Sequence, residues 1–121
     1  MTARTLCHLH EIPDGQARGF DPGATGQTTM LVLRRDRQLR AFLDRCPHHG
    51  TPLAWRTDAY LNAAGDRIVC AAHGALFDTD TGACTLGPCL GQGLTPVAVR
   101  LGPHDQVQID EPHSPIQETS P

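Results

Sequence analysis

Cys46, His48, Cys70 and His73 are the residues whose types and spacing are suited to chemistry. They lie in two runs, Cys46-Pro47-His48-His49-Gly50-Thr51-Pro52-Leu53 and Cys70-Ala71-Ala72-His73-Gly74-Ala75-Leu76-Phe77, each bringing a thiolate, an imidazole and a trailing glycine. Together they make a four-ligand metal site, and two metal groups suit it. One is a structural zinc, for which two Cys and two His form an ordinary tetrahedral shell. The other is a [2Fe–2S] cluster in which two cysteines hold one iron and two histidines the other. Ligand count does not separate them, but grouping does. A zinc finger of the usual kind pairs its cysteines together and its histidines together, whereas here each run supplies one of each. Two loops that close on a cluster with chemically distinct irons must each reach both irons, so the mixed grouping favours the cluster.

Cys46-x-His48-x-Gly50 and Cys70-x-x-His73-Gly74 resemble the two cluster-binding boxes of the Rieske family, and Phe77-Asp78 follows in register. Around them, Glu11-Ile12-Pro13-Asp14-Gly15 resembles the early turn of small Rieske ferredoxins, and Gly87-Pro88-Cys89 their proline loop, which covers the cluster. The resemblance implies that Cys46 and Cys70 ligate one iron and that His48 and His73 ligate the other. His49 competes with His48, but the family places a glycine two residues after the first histidine ligand, and Gly50 selects His48. Respiratory Rieske proteins carry a further cysteine in each box. Neither box has one here, so the resemblance is to the ferredoxin branch.

That resemblance implies an all-β fold, a Rieske-like antiparallel β-sandwich over residues 1–110. A cluster-binding subdomain is expected at about 44–91, and a disordered tail at 111–121. The implied function is one-electron transfer through one [2Fe–2S] cluster, from a flavin-dependent reductase to a terminal oxygenase of the aromatic-ring-hydroxylating type. A carrier rather than an enzyme is expected, because a catalytic oxygenase subunit needs a further 2-His-1-carboxylate iron site, and only His104 and His113 follow the boxes. Two alternatives stand beside it: a Rieske-like small subunit of a larger oxidoreductase such as nitrite reductase, and a structural zinc module.

The second box reads His73-Gly74-Ala75-Leu76-Phe77, where high-potential relatives resemble His-Gly-Ser-x-Tyr. Hydroxyl donors near sulfur raise a cluster's potential. Their absence implies a value near the low end of the Rieske range, about −150 mV.

Composition sets the frame for these boxes. A 121-residue chain is one small domain that buries about two-thirds of its unfolded surface, so a bound cluster would add to stability. With 4% aromatic residues, 12 Gly and 10 Pro, turns and short strands are expected rather than long helices. The net charge of −3, with every basic residue an Arg, offers no electrostatic case for nucleic acid or an anionic membrane. Met1 to Pro13 lacks the apolar run of a signal peptide, and no stretch of about 18 apolar residues occurs. The expectation is a cytoplasmic monomer without a membrane segment. Five cysteines agree with a reducing compartment. Cys7, Cys84 and Cys89 read as small buried thiols, although Cys89 stands in the covering loop, and a Cys84–Cys89 disulfide is conceivable.

The elements that must position the boxes follow from local pattern. Strands are expected at Thr5–Leu9, Thr28–Arg34, Leu39–Leu43, Arg67–Cys70, Ala75–Phe77, Thr95–Leu101 and Gln106–Ile109. A turn over Arg35–Gln38 makes a hairpin that feeds the first box, with Leu39, Ala41 and Leu43 on one face. Residues 49–69 form a 21-residue gap between the boxes, longer than compact ferredoxins need, with the excess at about 55–66. Trp55 and Tyr60 there read as anchors of that insertion, with a contact surface as the alternative. Asp78-Thr79-Asp80-Thr81-Gly82 reads as a tight turn and not as an EF-hand loop, whose other positions are missing.

Overall fold

The computed structural model describes residues 2–47, 50–54, 56–72 and 74–111. Among these residues ten strands run in chain order: β1 (Thr2–His8), β2 (Ala17–Phe20), β3 (Met30–Arg35), β4 (Gln38–Leu43), β5 (Arg67–Cys70), β6 (Ala75–Asp78), β7 (Cys84–Leu86), β8 (Pro96–Val97), β9 (Val99–Leu101) and β10 (Gln106–Glu111). They make three antiparallel sheets, ordered β1-β10-β9, β2-β3-β4-β8 and β5-β6-β7. Short 3₁₀ turns at Leu9–Glu11 and Pro103–Asp105 are the only helical elements among the described residues.

β3 explains how these sheets stack. Successive strand residues face opposite sides, and here both sides are buried. Leu31 and Leu33 join a core with Phe42, Leu53, Ile68 and Phe77, while Met30 and Val32 join a second core with Ile12, Leu39, Ala41, Val107 and Ile109. The middle sheet is therefore a shared wall. One face packs on the sheet of the outer strands, and the other on the segment that carries both boxes.

The β3–β4 hairpin forms where expected, with Arg35 opposite Gln38. Asp36 takes φ +56° in the turn, which a short polar side chain tolerates, and its N–H donates to Asp14 Oδ1 at 2.6 Å. β5 has the expected limits and β6 adds Asp78. At the Asp78–Gly82 turn, Asp78 Oδ1 accepts from the N–H groups of Asp80 (2.7 Å) and Thr81 (3.0 Å). Those bonds hold its carboxyl below the usual carboxylate range, so the carboxylate serves the turn.

Other expectations need correction. The strand expected over Thr95–Leu101 breaks at Ala98: Pro96–Val97 pairs with β4, and Val99–Leu101 pairs with β10, so the chain changes sheets there. Thr5–Leu9 begins instead at Thr2 and stops at His8, because Glu11 Oε2 accepts from the His8 N–H at 2.8 Å and the chain coils into a 3₁₀ turn. Thr28 and Thr29 precede β3 rather than opening it. β2 and β7 were not expected at all. Glu111 ends β10 rather than opening a tail, and residues 112–121 lie outside the described residues.

Candidate metal centre

β4 delivers the first box and the β5–β6 hairpin the second. Both are closed in the same manner. The Gly50 N–H donates to the Cys46 carbonyl at 2.6 Å, and the Gly74 N–H to the Cys70 carbonyl at 2.7 Å. Each is a five-residue turn, and each ends on a glycine at φ +71°, a left-handed conformation that side-chain-bearing residues resist. The glycines noted from sequence are thus the residues that let both loops turn back.

The two boxes are also tied together, since the Ala71 N–H of the second donates to the Leu53 carbonyl of the first at 2.9 Å. Within the first box, the Cys46 N–H donates to the Thr51 carbonyl at 2.8 Å. Cys46 and Cys70 are both fully buried and belong to one core with Leu53, Ala75, Phe77, Cys84 and Cys89. His48, His49 and His73 lie outside the described residues, as does Trp55. The structure thus brings together the two cysteines of the expected ligand set. Among the described residues, no three His, Cys, Asp or Glu side chains gather to hold a metal ion.

The covering loop follows β7. Gly87 takes φ +103°, and a Cβ there would lie 2.9 Å from Ala75 Cα, so the loop rests directly on the start of β6. This seats Cys89, fully buried, with its Sγ 3.7 Å from Cys46 Sγ. All five cysteines are buried, and none is in a disulfide. The conceivable Cys84–Cys89 disulfide is therefore absent: Cys84 Sγ donates to the Leu86 carbonyl at 3.3 Å, and Cys89 Sγ faces Cys46 instead.

Sequence reasoning missed Asp44. It is buried two residues before Cys46, and both carboxylate oxygens are used: Oδ1 accepts from the Leu53 N–H and Oδ2 from the Tyr60 hydroxyl, each at 2.8 Å. Gly19 clears the space, since a Cβ there would lie 2.5 Å from the Tyr60 hydroxyl oxygen. The Gly19 N–H also donates to Asp58 Oδ1 at 2.8 Å. Tyr60, 2% exposed, is thus an anchor of the 55–66 segment and not a contact surface. The segment continues as a ribbon along β5, with Leu61 bridged to Ile68 and a turn at Asn62–Asp66.

The cysteine pair suits an iron–sulfur group. Two buried thiols sit at the feet of two matched turns. In the first, the Thr51 hydroxyl is buried with no hydrogen-bond partner among the described residues, an arrangement that costs about 1–3 kcal/mol unless an acceptor is supplied. Sulfur of a bound cluster would supply one.

The Rieske [2Fe-2S] domain profile matches residues 3–110, and the chain belongs to that family, whose members carry a [2Fe–2S] cluster. Among solved structures, the Sphingomonas yanoikuyae B1 ferredoxin superposes with a TM-score of 0.69 at 26% identity, covering 92% of this chain and 100% of that one. The complex of reduced oxygenase and oxidized ferredoxin in carbazole 1,9a-dioxygenase gives 0.69 at 24% identity over 93% and 95%. Apoptosis-inducing factor 3 of Mus musculus is 30% identical over 78 residues, 64% of this chain, and the match spans only 12% of that protein's length. No helix among the described residues is long and apolar enough to cross a membrane.

Proposed function

We propose that this chain is a one-electron carrier of the Rieske ferredoxin type, accepting electrons from a flavin-dependent reductase and passing them to a terminal oxygenase. In this reading Cys46 and Cys70 hold one iron of the cluster, His48 and His73 hold the other, and residues 44–91 form the cluster-binding subdomain. The observation that carries it is the pair of fully buried cysteines set in two glycine-closed turns, in boxes joined by the bond from the Ala71 N–H to the Leu53 carbonyl. Similarity to the Sphingomonas yanoikuyae B1 ferredoxin supports the carrier reading.

When bound, the cluster supplies a one-electron couple at constant ligation. The chain's own residues do the rest. Leu53, Ala75, Phe77 and Cys89 exclude water from the cysteine side, which strengthens every electrostatic effect there. Among the described residues Leu86 and Leu90 are the large apolar side chains left exposed, and they flank the covering loop, where they would be available to a redox partner. Ala75 and Phe77 offer no hydroxyl, so the expected potential is near the low end of the Rieske range, about −150 mV; a titration above roughly +100 mV would refute that argument.

The test is the EPR spectrum of anaerobically purified, dithionite-reduced protein. A rhombic [2Fe–2S] signal with hyperfine coupling to two imidazole nitrogens is expected. A colourless chain with one zinc would overturn the reading, and co-purification as a bound subunit would favour the small-subunit alternative.

A further inference from the structure

We infer that the Cys89 thiol is a hydrogen-bond donor to Cys46 Sγ, and that it tunes the potential of the cluster from the covering loop. This rests on the proposed role of Cys46 as a ligand. The two sulfur atoms stand 3.7 Å apart, both side chains fully buried, and by geometry alone either thiol could be the donor. Iron binding removes that ambiguity. A cysteine ligand is a thiolate with no proton, so Cys46 becomes acceptor only and Cys89 holds the only S–H of the pair.

Its placement is set by backbone. Gly87 lies against Ala75 too closely for any side chain. The Cys89 carbonyl accepts from the Gln92 N–H at 2.9 Å, and the Gln92 carbonyl accepts from the Cys84 N–H at 3.0 Å. The thiol is therefore held against Cys46 rather than free to rotate away with a flexible loop. Reduction adds negative charge to the cluster and its sulfur ligands. A donor at one of those ligands, in a buried site, favours the reduced state. Ala75 and Phe77 provide no hydroxyl from β6, so the donor comes from a different element.

The test compares Cys89→Ala, Cys89→Val and Cys89→Ser by redox titration and by the position of the sulfur-to-iron charge-transfer absorption. Ala and Val lack a donor but differ in volume. Both are expected to lower the reduction equilibrium constant several-fold, approaching the tenfold that corresponds to about 59 mV for one electron, and to move the absorption to longer wavelength. Ser keeps a donor and is expected to match or exceed the wild type. Potentials unchanged in Ala and Val with the cluster intact would overturn the inference. So would a loss of cluster in both variants with normal loading in Ser, because the residue would then build the site rather than tune it. Failure of the ligand reading shows differently: the wild type itself lacks the rhombic signal.

Discussion

The Tyr60 hydroxyl donates to the buried Asp44 carboxylate at 2.8 Å, tying the segment between the boxes to the residue that leads into the first of them. Because Asp44 also accepts from the Leu53 N–H at 2.8 Å, one carboxylate fixes both ends of the first loop. Tyr60→Phe removes a donor from a buried acceptor, which costs about 1–3 kcal/mol. Thermal unfolding is expected to show that loss, with faster cluster release. A variant of wild-type stability would mean that the bond is dispensable.

The same contact sets an alkaline limit. Burial first, and the neighbouring Asp44 carboxylate second, hold Tyr60 neutral well above its usual value of 10.0. An unfolded tyrosine ionises near 10 while the folded one does not, so its contribution is full below pH 10 and is lost as pH rises above it. Stability measured from pH 9 to 11 is expected to fall more steeply for wild type than for Tyr60→Phe. Cys7, pushed up to about 11 by burial and by Glu11, adds slope in both proteins and cancels in the difference.

Gly74→Ala isolates backbone strain. A Cβ there meets nothing within 4 Å, yet φ is +71°. The expected cost is about 1–2 kcal/mol, read from denaturant midpoints. Gly50→Ala carries the same strain and places its Cβ 3.1 Å from Arg45 Nη2, the far end of a flexible side chain, so its cost is expected to be similar or slightly larger.

Ligand substitutions test the site itself. Cys46→Ala, Cys70→Ala, His48→Ala and His73→Ala are each expected to abolish stoichiometric iron and acid-labile sulfide, while His49→Ala retains both. Loss in His49→Ala with retention in His48→Ala would reverse the assignment.

Adding back hydroxyls addresses the potential. Ala75→Ser and Phe77→Tyr each place a donor on β6, in the core shared by Cys46 and Cys70. Both are expected to raise the potential in a redox titration, and a fall in either would count against sulfur-directed donors as the controlling lever.

The two turns were legible because their signal is local: a cysteine and a turn-closing glycine fall within five residues. β3, β4 and β5 were legible because their apolar and β-branched residues declare strands directly. Asp44 and Tyr60 were not, since a polar pair 16 positions apart becomes one hydrogen bond only after the segment between them has folded back. β2 was hidden by Gly19, which has no strand preference of its own and is there to make room for Tyr60. β7 is three residues long with Thr85 and Leu86 exposed, too short for a pattern. The break at Ala98 depends on which sheet each neighbour finds.

The chain leaves the middle sheet after Leu43 and returns to it at Thr95, and the Leu43 N–H donates to the Thr95 carbonyl at 2.9 Å. Everything from Asp44 to Leu94 is therefore a closed loop whose mouth is one hydrogen bond wide. The entropy of closing such a loop grows only with the logarithm of its length, about 0.6 kcal/mol per doubling. Loop entropy therefore sets little limit on the length of a stretch like 55–66, which is held to the sheet instead by the bond from the Gly19 N–H to Asp58. In architectural terms the segment is a graft on a short stem, and its side ties rather than its stem restrict how it can change.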